Sequence, residues 1–238
     1  MTAKTRIPRK YQPKGFEIIF EDEHLIVGEK APGLLSVGAL WERQHTVHNL
    51  LNQYVRKGNS KSNKVVFVVH RLDQATSGLL IFAKSERVQQ MLKDNWKEVA
   101  KTYYAVVHGR MERKAGEISS YLTEDEDYVM HSSMNSDQGK LAHTAFVVVK
   151  ESARFSLLKI NLLTGRKNQI RVHLADEGHP VVGDDKYNRS QSGAGPGHGK
   201  YPRLALHSQA IAFAHPVTKE PLLFETAIPE YFTKLLGV

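Results

Sequence analysis

The chain has no cysteine among its 238 residues, which excludes a disulfide framework, a thiolate zinc site and a cysteine nucleophile. Any nucleophile must then be oxygen or nitrogen. No apolar run approaches the ~20 residues that cross a bilayer, and the N-terminus lacks the apolar core of a signal peptide, so a cytoplasmic protein is expected. The 12 histidines include no His-Glu-x-x-His pair, and His45 and His48 read as surface residues at a helix start. Neither a Gly-x-Ser-x-Gly elbow nor an internal repeat occurs. The stretch Gly193 to Lys200 fails as a phosphate loop, because Ala194 stands where glycine is needed and Tyr201 follows the lysine. It reads as a flexible surface loop.

What is present is positive charge. Lys and Arg number 33 against 25 Asp and Glu, a net charge of +8, and the pI is near 9.5. Such a surplus points to an anionic partner, nucleic acid being the commonest. The length suits one large domain or two closely packed halves, expected here as a single catalytic unit over residues 16–238. Ahead of it, Lys4, Arg6, Arg9, Lys10 and Lys14 with Pro8 and Pro13 form a mobile basic arm over residues 1–15, which either touches phosphates or only solubilises.

Periodicity supplies the elements. Phe16 to Phe20 and Leu25 to Glu29 are two short strands about an acidic turn. Val47, Leu50, Leu51, Tyr54 and Val55 form one helical stripe that Thr46 can cap, and Ser85 can cap a second helix running to about Ala100. Trp96 in that helix is either core or a stacking platform. Val65 to Val69 and Leu79 to Ala83 read as buried strands, followed by Lys101 to Gly109, Ala145 to Lys150, Phe155 to Leu163, Leu204 to Phe213 and Leu222 to Thr226. Residues 110–140 read as hairpin and loop.

Three stretches carry candidate chemistry. His70 to Gly78, His-Arg-Leu-Asp-Gln-Ala-Thr-Ser-Gly, places Arg71 and Asp73 on a turn between two apolar runs; taken alone, the pair reads as a solvated turn ion pair. Lys101-Thr-Tyr-Tyr-Ala-Val-Val-His-Gly109 alternates, so Lys101 and Tyr103 share one face and Tyr104 takes the other. Thr164 to Pro180 is ambiguous: Gln169, Arg171 and His173 alternate with Ile170, Val172 and Leu174 as in a strand, while Gly178 followed by Pro180 reads as a helix stop.

In order along the chain, these stretches resemble the motifs of the RluA-type family of RNA pseudouridine synthases. Lys30-Ala-Pro-Gly-Leu34, Gly139-Lys-Leu-Ala-His-Thr144, Arg203 to Ser208 and His215 to Thr218 resemble further family elements, so the likeness spans residues 16 to about 230. Lys167 and Asn168 stand where the family usually has Thr or Ser and then His. The residues ahead of Phe16 are too few for the small S4 domain of some relatives, so a catalytic domain alone is expected.

The resemblance implies an α+β fold with a mixed, largely antiparallel central sheet flanked by helices and loops, an RNA cleft between two halves, and a helix from about Asn168 to Glu177. It implies an isomerase that detaches uracil from carbon 1′ of ribose and rejoins it through carbon 5, with structured rRNA or tRNA as partner and no cofactor, metal or membrane. A monomer is expected. Asp73 would be the catalytic carboxylate; a cationic neighbour favours the ionised form of such a group, and the resemblance assigns that neighbour to Arg171. Tyr103 would stack on the uracil, with Ile170 as an apolar wall. Arg71, Lys101, Arg166 and Gln169 complete the expected substrate contacts, Arg71 either filling the space of an extruded base or holding a flanking phosphate, or else only bracing its turn. The alternative function is a non-catalytic RNA-binding protein of the same fold; a nucleoside glycosidase would need a second positioned acid.

Overall fold

Short polar segments between apolar runs decide where this chain turns. The structure, a computed structural model, describes residues 8, 12–39, 41–59, 61–188 and 201–237. The expected arm, apart from Pro8 and residues 12–15, and the Gly-rich stretch 190–200 lie outside these. The chain divides into two compact units, Met1–Val99 with Ile211–Thr226, and Ala100–Ala210 with Ala227–Val238.

In the first unit, β1 (Phe16–Glu21) and β2 (Leu25–Lys30) pair antiparallel. Asp22 makes the turn between them, its carboxylate accepting the N–H groups of His24 and Leu25 at 2.7 Å. The helix α1 (Val47–Arg56) starts where Thr46 accepts the Asn49 N–H. Val65 to Val69 does not form the full strand expected. Only β3 (Phe67–Val68) pairs, because side chains take the neighbouring backbone groups: Asn52 accepts the Val66 N–H at 2.8 Å, His48 donates to the Val66 carbonyl and Gln89 to that of Val68.

The strand β4 (Ser77–Ala83) is buried along all seven residues and lies antiparallel to β2. The helix α2 (Glu86–Asp94) stops earlier than expected: the Asn95 amide donates to the Met91 carbonyl at 2.7 Å, and a single 3₁₀ turn, Trp96–Glu98, follows. Leu25, Val27, Leu79, Ile81, Val88, Leu92, Ile211 and Phe213 belong to one apolar cluster, and each fully buried side chain of this kind contributes about 1.5–3 kcal/mol. The strand order is β1-β2-β4-β10, with β11 (Pro221–Glu225) on β10 (Leu206–Ala214).

The second unit is antiparallel throughout its defined registers. Its order is β10-β5-β9-β8-β6-β7, with β5 at Ala100–His108, β6 at Ala115–Glu124, β7 at Met130–Ser133, β8 at Lys140–Glu151 and β9 at Phe155–Leu162. The strand β10 belongs to both units, changing at Ala210. The helix α3 (Gln169–Asp176) resolves the ambiguity of the third motif as expected. Asn168 enters it at φ +52°, and Gly178 at φ +80° ends it with its N–H on the Ala175 carbonyl. The short α4 (Glu230–Leu235), which buries Phe232, has no counterpart in the sequence reading. The expected α+β class with a mixed, largely antiparallel sheet is the one observed.

Candidate active site

In the first unit, the turn that carries Asp73 is held through its neighbours. Asp73 is half-buried and Arg71 exposed. The Asp73 carbonyl accepts the Thr76 N–H at 3.1 Å, closing the turn. On one side, the Ser36 hydroxyl donates to the Leu72 carbonyl at 2.7 Å and accepts the Leu72 N–H at 3.0 Å. On the other, the Gln74 carbonyl accepts from the Gly33 N–H at 2.8 Å and from the Lys30 ammonium at 2.9 Å. Gly33 sits at φ +88°, a conformation that a side chain would strain.

Lys30 itself is fully buried. Its ammonium also donates to the carbonyls of Ala31 and Leu34 at 2.9 and 2.8 Å, so three donors meet three acceptors. Burial pushes this lysine down to about 7, and the carboxylate of Asp73 acts in the opposite direction. Upstream, the Nε2 of His70 accepts the Ile81 N–H at 3.2 Å, and its ring lies 4.7 Å from that of Trp96 at 34°. Trp96 is half-buried against the core, which favours the core reading of that residue.

The second unit holds the other expected residues. Lys101 and Tyr103 are buried on one face of β5, and burial lowers the Lys101 pKa. On α3, Ile170 is buried, and Arg171 forms a bidentate pair with Asp184: Nε to Oδ2 at 2.7 Å and one terminal nitrogen to Oδ1 at 2.8 Å. The Asp184 side chain is wholly buried and that of Arg171 is 11% exposed. The guanidinium also stacks 5.0 Å over the Tyr187 ring. The Tyr187 hydroxyl donates to Asn168 and accepts the Met130 N–H, both at 3.1 Å. The direction of the Arg171 guanidinium is thus fixed by Asp184 and Tyr187.

Gln169 is committed elsewhere. Its Oε1 accepts from the Thr164 hydroxyl and the Arg166 N–H, and its amide donates to the His143 carbonyl and the Thr144 hydroxyl. All four hydrogen bonds of the amide are therefore made within the protein. Arg166 is exposed, with its Nε donating to the Leu141 carbonyl at 3.0 Å. Lys167 pairs with Glu124. Among the described residues, no group of three or more His, Cys, Asp or Glu gathers to hold a metal ion, and no helix is long and apolar enough to cross a membrane.

Sequence reasoning gave no role to Lys30, Ser36, Asp184 or Tyr187. Lys30 had a signal, a lone lysine ending an apolar strand just before Pro32-Gly33. Asp184 and Tyr187 had one too, an acid and an aromatic just past the third motif. Nothing local marks Ser36.

Comparison with known proteins supplies the family. Residues 24–176 match the family model described as RNA pseudouridylate synthase. An uncharacterized RNA pseudouridine synthase of Bacillus subtilis, YjbO, is 32% identical over 228 residues, covering 94% of this chain and 77% of the relative. A protein of Vibrio cholerae named dual-specificity RNA pseudouridine synthase RluA is 36% identical over 204 residues, covering 84% and 78%. The solved structure titled human RNA pseudouridylate synthase domain containing 4 superposes with a TM-score of 0.76 at 22% identity, covering 92% of this chain and 91% of that one; at that identity it speaks to the fold. With a family model over most of its length and relatives that keep a third of its residues, the chain belongs to the RluA-type RNA pseudouridine synthases, enzymes that isomerise uridine in RNA.

Proposed function

We propose that the substrate is a uridine in structured ribosomal or transfer RNA, that Asp73 is the catalytic carboxylate, and that Tyr103 and Arg171 serve the same uridine. The reading is supported above all by the frame around Asp73, in which both flanking residues are fixed by non-local hydrogen bonds while Asp73 is a half-buried residue. Positioning a reacting group in this way is worth several kcal/mol of barrier.

The chemistry asked of that carboxylate follows from the reaction. Breaking the bond between uracil and carbon 1′ leaves an electron-poor sugar, which one ionised carboxylate can attack or relieve of a proton. Uracil then rejoins through carbon 5, displacing the carboxylate from carbon 1′ or with the sugar proton returned by it; the carbon 5 proton passes to solvent and nitrogen 1 takes one up, so the product is an isomer. The isomerisation is redox-neutral and uses no group donor, so the reading calls for no cofactor. Extruding the target base costs a few kcal/mol, least in loops. Tyr103 would stack on the extruded base and Ile170 would wall it; Arg71 would meet a flanking phosphate, and Lys101, buried beside Tyr103 on the same face of β5, would contact the substrate there. The same reading makes the protein a cytoplasmic monomer.

Asp73→Asn tests this on a transcript carrying tritium at carbon 5 of uridine. Tritium release should fall below detection while RNA affinity stays within about two-fold. Turnover at the parent rate would remove Asp73 from the chemistry. Pseudouridine maps of total RNA from cells with and without the gene would identify the target.

A further inference from the structure

The loop that follows β2 returns to the catalytic turn through one hydroxyl. Ser36 is 2% exposed and lies 36 residues before Leu72. Its backbone is tied to the start of α1: the Leu35 carbonyl accepts the Val47 N–H at 2.8 Å, and the Ser36 carbonyl accepts the His48 N–H at 3.1 Å. Its side chain satisfies both backbone groups of Leu72, the residue immediately before Asp73. A neighbouring strand would ordinarily supply those two bonds, and here a single side chain supplies them.

The geometry is that of a peg. Leu72 is itself buried and both of its hydrogen bonds to Ser36 are buried ones, and each such group left unpartnered costs about 1–3 kcal/mol. The far side of Asp73 is held separately, by Lys30 and Gly33 on the Gln74 carbonyl. Removing the Ser36 hydroxyl therefore frees one end of a two-ended mount. The turn remains, and the carboxylate loses a fixed origin.

We infer that Ser36 is a positioning residue for Asp73, fixing the carboxylate for the chemical step without touching RNA. The inference rests on the proposed catalytic role of Asp73. A displacement on the order of 1 Å at a reacting group costs roughly 10²-fold in rate. Ser36→Ala should therefore lower single-turnover tritium release by about 10- to 100-fold, with RNA affinity and KM within about two-fold of the parent.

The pair Ser36→Thr and Ser36→Val, nearly equal in volume and differing in the hydroxyl, separates the hydrogen bonds from packing and serves where the alanine variant folds poorly. The threonine variant should be at least ten-fold faster than the valine variant at equal RNA affinity. A threonine variant no faster than the valine one, or an alanine variant at the parent rate, overturns the inference; so does a loss of RNA affinity as large as the loss of rate. Asp73→Asn run alongside keeps the two ideas apart. If it is inactive while Ser36→Ala is fully active, only the role of Ser36 fails; if it turns over, the proposed catalytic carboxylate fails first.

Discussion

The two units hold the side chains proposed for the site by different physics. In the first, Asp73 is set by backbone: a buried lysine on three carbonyls, a serine on Leu72 and a glycine N–H on Gln74. The same unit packs an apolar cluster whose members run from Leu25 to Phe224. In the second, Arg171 is set by a full opposite charge on Asp184 and by the Tyr187 ring. The helix that carries it rests partly on polar contacts: His173 lies 3.0 Å from the Ser120 hydroxyl and 2.9 Å from that of Thr144, which also accepts from Gln169. Asp73, the proposed reacting carboxylate, is a half-buried residue on a backbone held from both sides, whereas the Arg171 guanidinium is locked by its own hydrogen bonds.

That contrast predicts a graded response. The largest effect is expected at Asp184→Asn, which keeps the shape but removes the charge facing Arg171 inside the fold. Breaking a buried ion pair typically costs 3–5 kcal/mol, so denaturant midpoints should fall accordingly and turnover should fall with them. A variant that keeps its stability would show that the pair is not what holds α3 in place.

Acid should loosen the second unit before the first. Burial, with Arg203 adding to it, pushes His207 down to about 4, and burial also lowers His173. Both bases are neutral in the fold where the unfolded chain binds a proton. Unfolding is therefore favoured as pH falls below about 6.5, and for His207 the loss is complete near 4, up to roughly 3 kcal/mol. His207→Asn should flatten stability against pH across that window, and hydrogen exchange should quicken first in β5 and α3. Equal quickening across both units would contradict the contrast.

The smallest effect is expected at Lys30→Met. It strips the Ala31 and Leu34 carbonyls of this donor and leaves Gln74 with the Gly33 N–H alone, yet it also removes the cost of burying a charge, so the net loss should be about 2 kcal/mol. Thermal unfolding checks the size. A loss larger than that of Asp184→Asn would reverse the ranking of the two units.

Legibility differed by element for identifiable reasons. The helix α1 could be read from its stripe and the Thr46 cap, because both signals are local. The motif at Thr164 to Pro180 read equally as strand or helix, since α3 buries Gln169 and His173 beside its apolar residues and so lacks a clean apolar face. Val65 to Val69 read as a full strand, yet Asn52, His48 and Gln89 occupy the backbone groups that a ladder needs. Asp73, Tyr103 and Arg171 stood out by resemblance to family motifs; by periodicity alone none of them did.

Composition and pattern by themselves settled the absence of thiol chemistry, the basic surplus, most of the strands and the two capped helices, because each depends on residue type or near neighbours. Which side chains hold the candidate site was decided only in three dimensions. Ser36 meets Leu72 across 36 residues, Lys30 meets Gln74 across 44, and Arg171 meets Asp184 past the end of its own helix. Such pairings follow from how strands and loops are brought together, and no local sequence signal encodes a partner that far along the chain.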